Sequence, residues 1–156
     1  MTLARSAQSP AAAKPSDRGW PAYGGGPEQI RYSTLDQINR GNVKQLKQAW
    51  VYDSGETGGL QTQPIVVDGV MYTSSAWSKV LALDASTGKV LWQVDPQNGG
   101  SKGAHACCDV VNRGVAAWKG KLFVGTLDGR LVALDAASGE LLWETLTIDR
   151  TKPYTI

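Results

Sequence analysis

The segment VLALDASTGKVLW at residues 80–92 is followed 51 residues later by LVALDAASGELLW at residues 131–143, and the two align without a gap. The match extends upstream, where DGVMY at 68–72 corresponds to KGKLF at 119–123. A fixed period of this size is typical of modular folds, in which each unit buries its apolar face only against a neighbour. Two units are few for such a fold, so we expect this chain to be part of a larger array.

Each unit has the pattern of four short β-strands. In the first unit, apolar runs at 65–67 and 70–73 flank the pair Asp68-Gly69, which is a hairpin turn signal. Two further runs, at 80–83 and 89–94, flank a longer polar turn. Four short strands at this period predict one blade of a β-propeller, and the predicted fold class is therefore all-β.

The longer turn of each unit has the chemistry of a structural turn. Asp84 can accept hydrogen bonds from backbone N–H groups of its own turn, and Gly88 can adopt positive φ without steric cost. Asp135 and Gly139 repeat both residues in the second unit. Turn chemistry explains these four residues fully, so no catalytic role is assigned to them.

Large aromatic side chains close the units. Trp92 and Trp143 end the repeats with apolar faces suited to packing between neighbouring sheets. The segment that begins at residue 41 opens with a helical turn signal and leads into a predicted strand at 49–52. Trp50 lies in that strand, so it has the position of a closing tryptophan in an earlier unit. We expect apolar surface to be exposed at Trp143 and on the Trp50 side.

Composition excludes several classes of function. A formal charge of +2, with Lys and Arg scattered along the chain, argues against a nucleic-acid partner. No apolar run reaches the length of about 20 residues that a transmembrane helix requires. Residues 1–18 are rich in Ala, Ser and Pro and lack the apolar core of a secretory signal, so they are predicted to form a disordered tail.

The two cysteines of the chain, Cys107 and Cys108, are adjacent. Their Cα atoms would be about 3.8 Å apart across a trans peptide, closer than in ordinary disulfides, so a bond between them would close a strained ring. Two buried free thiols are the alternative, and geometry alone leaves both open. His105 is the single histidine of the chain, and together with two cysteines it falls short of the ligand set of a zinc site. A Ser-His-Asp catalytic arrangement would also have to use His105, and the sequence contains no nucleophile motif for it.

The motif CCDVVNRG at residues 107–114, placed between repeats that end in Gly-x-x-x-Trp, resembles the pyrroloquinoline-quinone (PQQ)-dependent alcohol dehydrogenases. The opening segments WPAYG at 20–24, RYS at 31–33 and NVKQLKQAW at 42–50 are similar to the N-terminal part of that family. The resemblance covers residues 19–156. The repeat alone is only moderately specific for this family. The vicinal cysteines and Arg113 occur together in the one motif at 107–114, and this makes the resemblance strong.

This resemblance implies an eight-bladed propeller that binds PQQ with a Ca²⁺ ion beside it in the periplasm, of which this chain supplies about the first two to three blades. It implies a disulfide between Cys107 and Cys108 that lies against the quinone, and PQQ contacts from Arg113, Gln61 and Thr155. The Ca²⁺ ligands and the catalytic base are expected outside this chain, so it carries no assigned catalytic or metal-binding residue. A haem c in the full-length protein is compatible with the resemblance. The implied partners are a small alcohol and an electron acceptor such as a cytochrome c or a quinone.

Gln61 departs from the pattern of the family. Where the alcohol dehydrogenases have a glutamate in a Glu-x-x-Pro setting, this chain has QTQP at 61–64. A neutral amide can donate hydrogen bonds and avoids the repulsion that a carboxylate would feel beside an anionic cofactor. Gln61 is therefore kept as a contact, while the choice between alcohol and sugar substrates becomes less certain.

The expected organisation is a disordered tail at 1–18 and a PQQ-binding propeller portion at 19–156. Within the propeller portion, repeat units at about 64–96 and 115–147 flank a cofactor-site insert at 97–114. Two other functions are kept open. One is a non-enzymatic periplasmic propeller module that acts as a protein-interaction scaffold, which would have no need of Cys107, Cys108 or Arg113. The other is an inactive truncated remnant.

Overall fold

The computed structural model describes residues 19–56, 60–96, 109–149 and 151–152. These ranges contain two four-stranded antiparallel sheets, each with its strands in sequential order. The strands of the first sheet are β1 (Ile65–Val67), β2 (Val70–Ser74), β3 (Val80–Asp84) and β4 (Val90–Val94), and those of the second are β5 (Ala116–Trp118), β6 (Lys121–Gly125), β7 (Arg130–Asp135) and β8 (Leu141–Leu146). Short 3-10 turns occur at Val43–Gln45 and Ala76–Ser78. The predicted all-β class and the predicted hairpins are confirmed.

The first hairpin of each sheet closes through a two-residue turn with both residues at positive φ. Asp68 and Gly69 have φ of 49° and 81°, and Lys119 and Gly120 have φ of 48° and 74°. Turns with positive φ at both central positions match the right-handed twist of the flanking strands. The Asp68-Gly69 signal therefore predicted this hairpin correctly, and the second unit forms the same turn with a lysine in the place of the aspartate.

The longer turns are held by their aspartates, as predicted. The Asp84 carboxylate accepts hydrogen bonds from the hydroxyls of Ser86 and Thr87 at 2.6 and 2.8 Å, and from their backbone N–H groups at 3.0 and 2.8 Å. These bonds, that from the Ser86 hydroxyl first, lower the pKa of Asp84 to about 2. Asp135 accepts equivalent bonds from Ala137 and Ser138, and those from Ser138 lower its pKa most.

This turn chemistry predicts a loss of stability in acid. Because the pKa of Asp84 is depressed in the folded state, its contribution is present above the ordinary value near 3.8 and is lost as the pH falls through about 2. We expect the urea midpoint of Asp84→Asn to lie below that of the unmutated protein at pH 4. The gap between the two midpoints should shrink as the pH is lowered to 2. Asp135→Asn should behave in the same way. A difference that stays constant across this pH range would contradict the assignment.

The hydrophobic core lies between the two sheets. Its buried side chains come from both: Ile65, Tyr72, Val80, Ala82, Leu122, Val124, Val132 and Leu134. Tyr72 also reaches across the interface, where its hydroxyl donates to Ala136 O at 3.1 Å. Burial, with a smaller contribution from Asp68 and Asp135, raises the pKa of Tyr72, so the phenol stays protonated as a donor.

A tryptophan of each unit docks on the turn of the following unit. Trp92 Nε1 donates to Ala136 O at 3.2 Å, and its ring covers Gly139, where an added Cβ would be 2.7 Å from Trp92 Cε3. Trp50 makes the same contact one unit earlier: its Nε1 donates to Ala85 O at 3.1 Å and its ring covers Gly88. The two turn glycines are therefore required both for positive φ and for the close approach of an indole.

The prediction of a strand at 49–52 is wrong. No strand is present there, and Trp50 is held through its indole on the turn of the first sheet rather than through a backbone ladder. The free edge of β1 is instead paired at Val66 with Trp20, whose N–H and C=O both bond to the backbone of Val66, at 2.7 and 2.8 Å. A short apolar run indicates a strand but does not supply the neighbouring strand that it must pair with.

The expected apolar exposure is confirmed on one side of the pair of sheets. All six residues of β8 are exposed, among them Leu141 at 58% and Trp143 at 41%. On the other side it is confirmed at Val51, which is 72% exposed, whereas Trp50 itself is half-buried on Gly88. The predicted tail at 1–18 lies outside the described residues.

Candidate functional site

The segments that lead into β1 and β5 run side by side and form the candidate site. Gln63 and Gly114 form a parallel bridge, in which Gln63 N–H donates to Arg113 O at 3.1 Å. Gly114 has φ of 126°, and a Cβ there would lie 2.8 Å from Gln63 O. The contact between the two segments therefore requires glycine at this position, which places Arg113 beside Gln63.

A buried hydroxyl cluster fixes the first of these segments. The Thr62 hydroxyl lies 3.0 Å from the hydroxyls of Thr73 and Ser74, and it accepts a bond from Ser74 N–H at 3.1 Å. The Ser74 hydroxyl also contacts Asn112 O at 3.4 Å, which links the cluster to the second segment. Because Thr62 points into this cluster, its neighbour Gln61 is held at the surface next to a rigid anchor.

Arg113 presents its side chain to a cleft of about 360 Å³. The cleft is also lined by Tyr23, Gln63, Ile65 and Val115. Arg113 is exposed, and within the described ranges its guanidinium makes no ion pair or hydrogen bond. An unpaired guanidinium above apolar walls suits a planar anionic ligand, since its fork of donors can bind a carboxylate bidentately.

A second corner ties the first sheet to the residues preceding Arg113. The Glu56 carboxylate accepts bonds from the Ser75 hydroxyl, from Ala76 N–H and from the Lys79 ammonium, at 3.1, 3.1 and 3.2 Å. This arrangement surrounds Trp77, which has φ of 60° and donates its backbone N–H to Val110 O at 2.9 Å. The 3-10 turn at Ala76–Ser78 thus anchors the chain that leads to Arg113.

The structure places the predicted site residues unevenly. Arg113 lines the cleft, and Gln61 is exposed two residues before Gln63, although it does not line the cleft itself. Cys107, Cys108 and Thr155 lie outside the described residues. Among the described ranges no cluster of three or more His, Cys, Asp or Glu side chains could hold a metal ion, and no helix is long and apolar enough to cross a membrane.

Sequence reasoning missed three residues that build the site. Gln63 pairs with the second segment and lines the cleft, Asn112 braces the chain around Arg113, and Glu56 holds the Trp77 corner. Gln63 lies in the same QTQP stretch as Gln61, so its position before the β1 hairpin was the available signal. Nothing in the local pattern around Glu56 indicated contacts about 20 residues away.

Two antiparallel four-stranded sheets, packed face to face and linked by tryptophan docking, define the β-propeller class. Residues 20–144 match the family described as "PQQ: Glucose/ethanol/alcohol dehydrogenase, beta-propeller domain". The chain therefore belongs to the β-propeller family of PQQ-dependent dehydrogenases.

Named relatives agree with this family. The chain is 54% identical over 138 residues to a 1-butanol dehydrogenase (cytochrome c) of Thauera butanivorans, covering 88% of this chain and 20% of the relative. The structure of quinohemoprotein alcohol dehydrogenase ADHIIG from Pseudomonas putida matches with a TM-score of 0.86 and 48% identity, over 90% of this chain and 21% of that one. A europium-containing methanol dehydrogenase matches with a TM-score of 0.80 and 41% identity, over 90% and 25%. The chain thus spans about a fifth to a quarter of the proteins it matches.

Proposed function

We propose that the full-length protein carrying this chain is a PQQ- and Ca²⁺-dependent dehydrogenase that oxidises alcohols, and that this chain forms one wall of its PQQ site. The observation that carries the proposal is Arg113, which presents an unpaired guanidinium, within the described ranges, to a cleft beside the paired leading segments. The named relatives, which are alcohol and methanol dehydrogenases, support the reaction class.

The residues present fit the cofactor chemically. PQQ is planar and carries three carboxylates, and Arg113 offers a rigid fork of donors at the rim of a cleft with apolar walls at Ile65 and Val115. Gln61, exposed two residues before Gln63, offers a second, neutral donor. This chain's role is therefore to bind and orient the cofactor from one side.

The reacting groups are assigned to the rest of the full-length protein. When bound, PQQ supplies the two-electron acceptor and the neighbouring metal ion supplies a Lewis acid. As the family resemblance implies, we place the metal ligands and the catalytic base outside this chain. A neighbour named for its europium supports a metal ion in the site, and the quinohemoprotein relative supports a haem c in the full-length protein.

We propose a disulfide between Cys107 and Cys108 and a periplasmic location. A strained bond between neighbouring cysteines persists only in an oxidising compartment, so the two proposals depend on each other. We expect the tryptic peptide 103–113, which contains both cysteines, to resist alkylation before reduction and to gain two alkyl groups after it. Full alkylation of the unreduced native protein by mass spectrometry would contradict the disulfide.

The substrate is proposed to be a small primary alcohol, and the electron acceptor a cytochrome c or a quinone. The relative named as a cytochrome c-linked 1-butanol dehydrogenase supports the alcohol and the first acceptor. Gln61, where the alcohol dehydrogenases have glutamate, is the residue of this chain at which we expect substrate preference to differ. Exchanging Gln61 for Glu and comparing kcat/KM for alcohols and sugars would measure its effect.

The experiment that tests the proposal is reconstitution of the full-length apoprotein with PQQ and Ca²⁺. We expect alcohol-dependent reduction of an artificial dye, and no turnover from residues 1–156 alone, because the base and the metal ligands are assigned elsewhere. Absence of PQQ binding and of turnover in the full-length protein would overturn the proposal and favour the scaffold or the remnant. The dehydrogenase names of the matched relatives argue against the scaffold.

A further inference from the structure

We propose that Asn112 is a positioning residue for cofactor binding, which acts by fixing the direction of the Arg113 side chain; this inference rests on the proposed function. Asn112 is half-buried and makes three hydrogen bonds through its side chain. Nδ2 donates to Ser78 Oγ at 3.2 Å and to Gly125 O at 2.9 Å, and Oδ1 accepts from Gly114 N–H at 3.0 Å.

The orientation of the Asn112 amide follows from its partners. A backbone carbonyl such as Gly125 O only accepts, and a backbone N–H such as that of Gly114 only donates. The amide nitrogen must therefore face Gly125 and the amide oxygen must face Gly114. A carboxylate of the same shape could keep the bond to Gly114, but it would face the carbonyl oxygen of Gly125 with no proton to share.

Hydrogen bonds hold the backbone on both sides of Arg113. The bond from Gly114 N–H to Asn112 Oδ1 closes a turn with Arg113 at its centre, which sets the direction of the Arg113 Cα–Cβ bond. Arg113 O is held in addition by Gln63 N–H at 3.1 Å. The backbone on both sides of Arg113 is thus fixed, whereas within the described ranges its guanidinium forms no ion pair or hydrogen bond.

Asn112 also connects Arg113 to both sheets. Ser78 is fully buried at the corner that follows β2, and Gly125 is the last residue of β6. One acceptor of Nδ2 therefore lies in the buried turn that connects β2 to β3 of the first sheet, and the other lies in a strand of the second sheet. Because Asn112 is held in this way, the backbone at Arg113 is already ordered before a ligand binds. Less conformational entropy is then lost on binding, which favours affinity.

The test is the affinity of the full-length apoprotein for PQQ at fixed Ca²⁺, measured by quenching of tryptophan fluorescence. We expect Asn112→Ala to weaken PQQ binding about tenfold, at the lower end of the losses that follow when residues that orient metal ligands are replaced. Asn112→Asp is expected to weaken it to a similar degree. Asn42→Ala is the matched control: Asn42 also makes two side-chain hydrogen bonds in a turn, to Gln37 O and Asn39 N–H, but is not part of the site.

A double-mutant cycle separates positioning from general destabilisation. In an Arg113→Ala background, Asn112→Ala should cause no further loss of PQQ affinity, because there is no guanidinium left to orient. The same loss in both backgrounds, or an affinity of Asn112→Ala within twofold of the unmutated protein, would overturn the inference. Failure of the unmutated protein to bind PQQ would instead overturn the proposed function.

Ser78→Ala keeps the inference testable if Asn112→Ala does not fold. This change removes one acceptor of Nδ2 and leaves the bond to Gly125 O in place. We expect PQQ binding about threefold weaker, since one of three orienting bonds is lost. Unchanged affinity in Ser78→Ala would count against a role for Asn112.

Discussion

Replacing Gly139 by alanine is expected to destabilise the full-length protein by about 2–4 kcal/mol, from backbone strain plus overpacking. Gly139 has φ of 76°, and the added Cβ would lie 2.7 Å from Trp92 Cε3 and 3.1 Å from Val94 Cγ2. The methyl group cannot be accommodated without moving the indole, whose Nε1 is bonded to Ala136 O. The loss should therefore appear as a lower midpoint in thermal or urea unfolding.

Gly120→Ala is the matched control for this prediction. Gly120 has φ of 74°, nearly the same as Gly139, but an added Cβ there would meet nothing within 4 Å. Both substitutions carry the cost of positive φ, which is about 1 kcal/mol, and only the change at Gly139 disturbs the docked tryptophan. Equal destabilisation by the two substitutions would show that the added methyl group does not disturb the docked tryptophan and would contradict this prediction.

Replacing Arg113 by alanine is expected to weaken PQQ binding by the full-length apoprotein at least about 100-fold. Two charge-assisted hydrogen bonds, at about 1.5–3 kcal/mol each, would be lost, and each 1.4 kcal/mol corresponds to a factor of ten in Kd. Within the described ranges the Arg113 guanidinium forms no ion pair, so its removal leaves no described carboxylate unpaired. The folded state should therefore be little affected, and unfolding midpoints should stay close to those of the unmutated protein.

Two further variants make the Arg113 experiment specific. Arg113→Lys keeps the charge but loses the planar fork, so an intermediate loss of affinity is expected. Arg40→Ala removes an exposed arginine that does not line the cleft and should leave PQQ binding unchanged. PQQ affinity in Arg113→Ala equal to that of the unmutated protein would remove Arg113 from the site.

Much of the fold could be predicted from sequence because its signals are local. The Asp68-Gly69 pair specifies its hairpin through backbone conformation, and Asp84 holds its own turn through residues two and three positions later. A repeat doubles this information, since the same turn occurs at Asp135. Such features depend on a few consecutive residues, so a single sequence is enough to identify them.

The contacts between units could not be predicted in this way. The docking of Trp92 on Gly139 joins residues 47 positions apart, and turn chemistry had already explained the glycine. The segment predicted as a strand at 49–52 is a short apolar run but lacks a ladder partner among the described residues, and Trp50 is held there through its side chain. Local patterns specify what a segment can form, whereas its neighbours decide what it does form.

The candidate site was predicted in part for the same reason. Arg113 was identified from its motif, and the structure places it at a cleft with Gln63. The braces around it, Asn112 and Glu56, act through contacts with Gly125 and Ala76 in other parts of the fold. Side-chain amides and carboxylates that bind a distant backbone leave no periodic signal, so they become visible only once the sheets are in place.

The most direct test of the central claim is a crystal structure of the full-length protein with PQQ and Ca²⁺. We expect the Arg113 guanidinium to lie within hydrogen-bonding distance, about 3 Å, of an oxygen of the cofactor, with the Asn112 bonds to Gly114 and Gly125 intact. PQQ bound elsewhere, with Arg113 turned to solvent, would contradict the account and leave this chain as a structural part of the propeller.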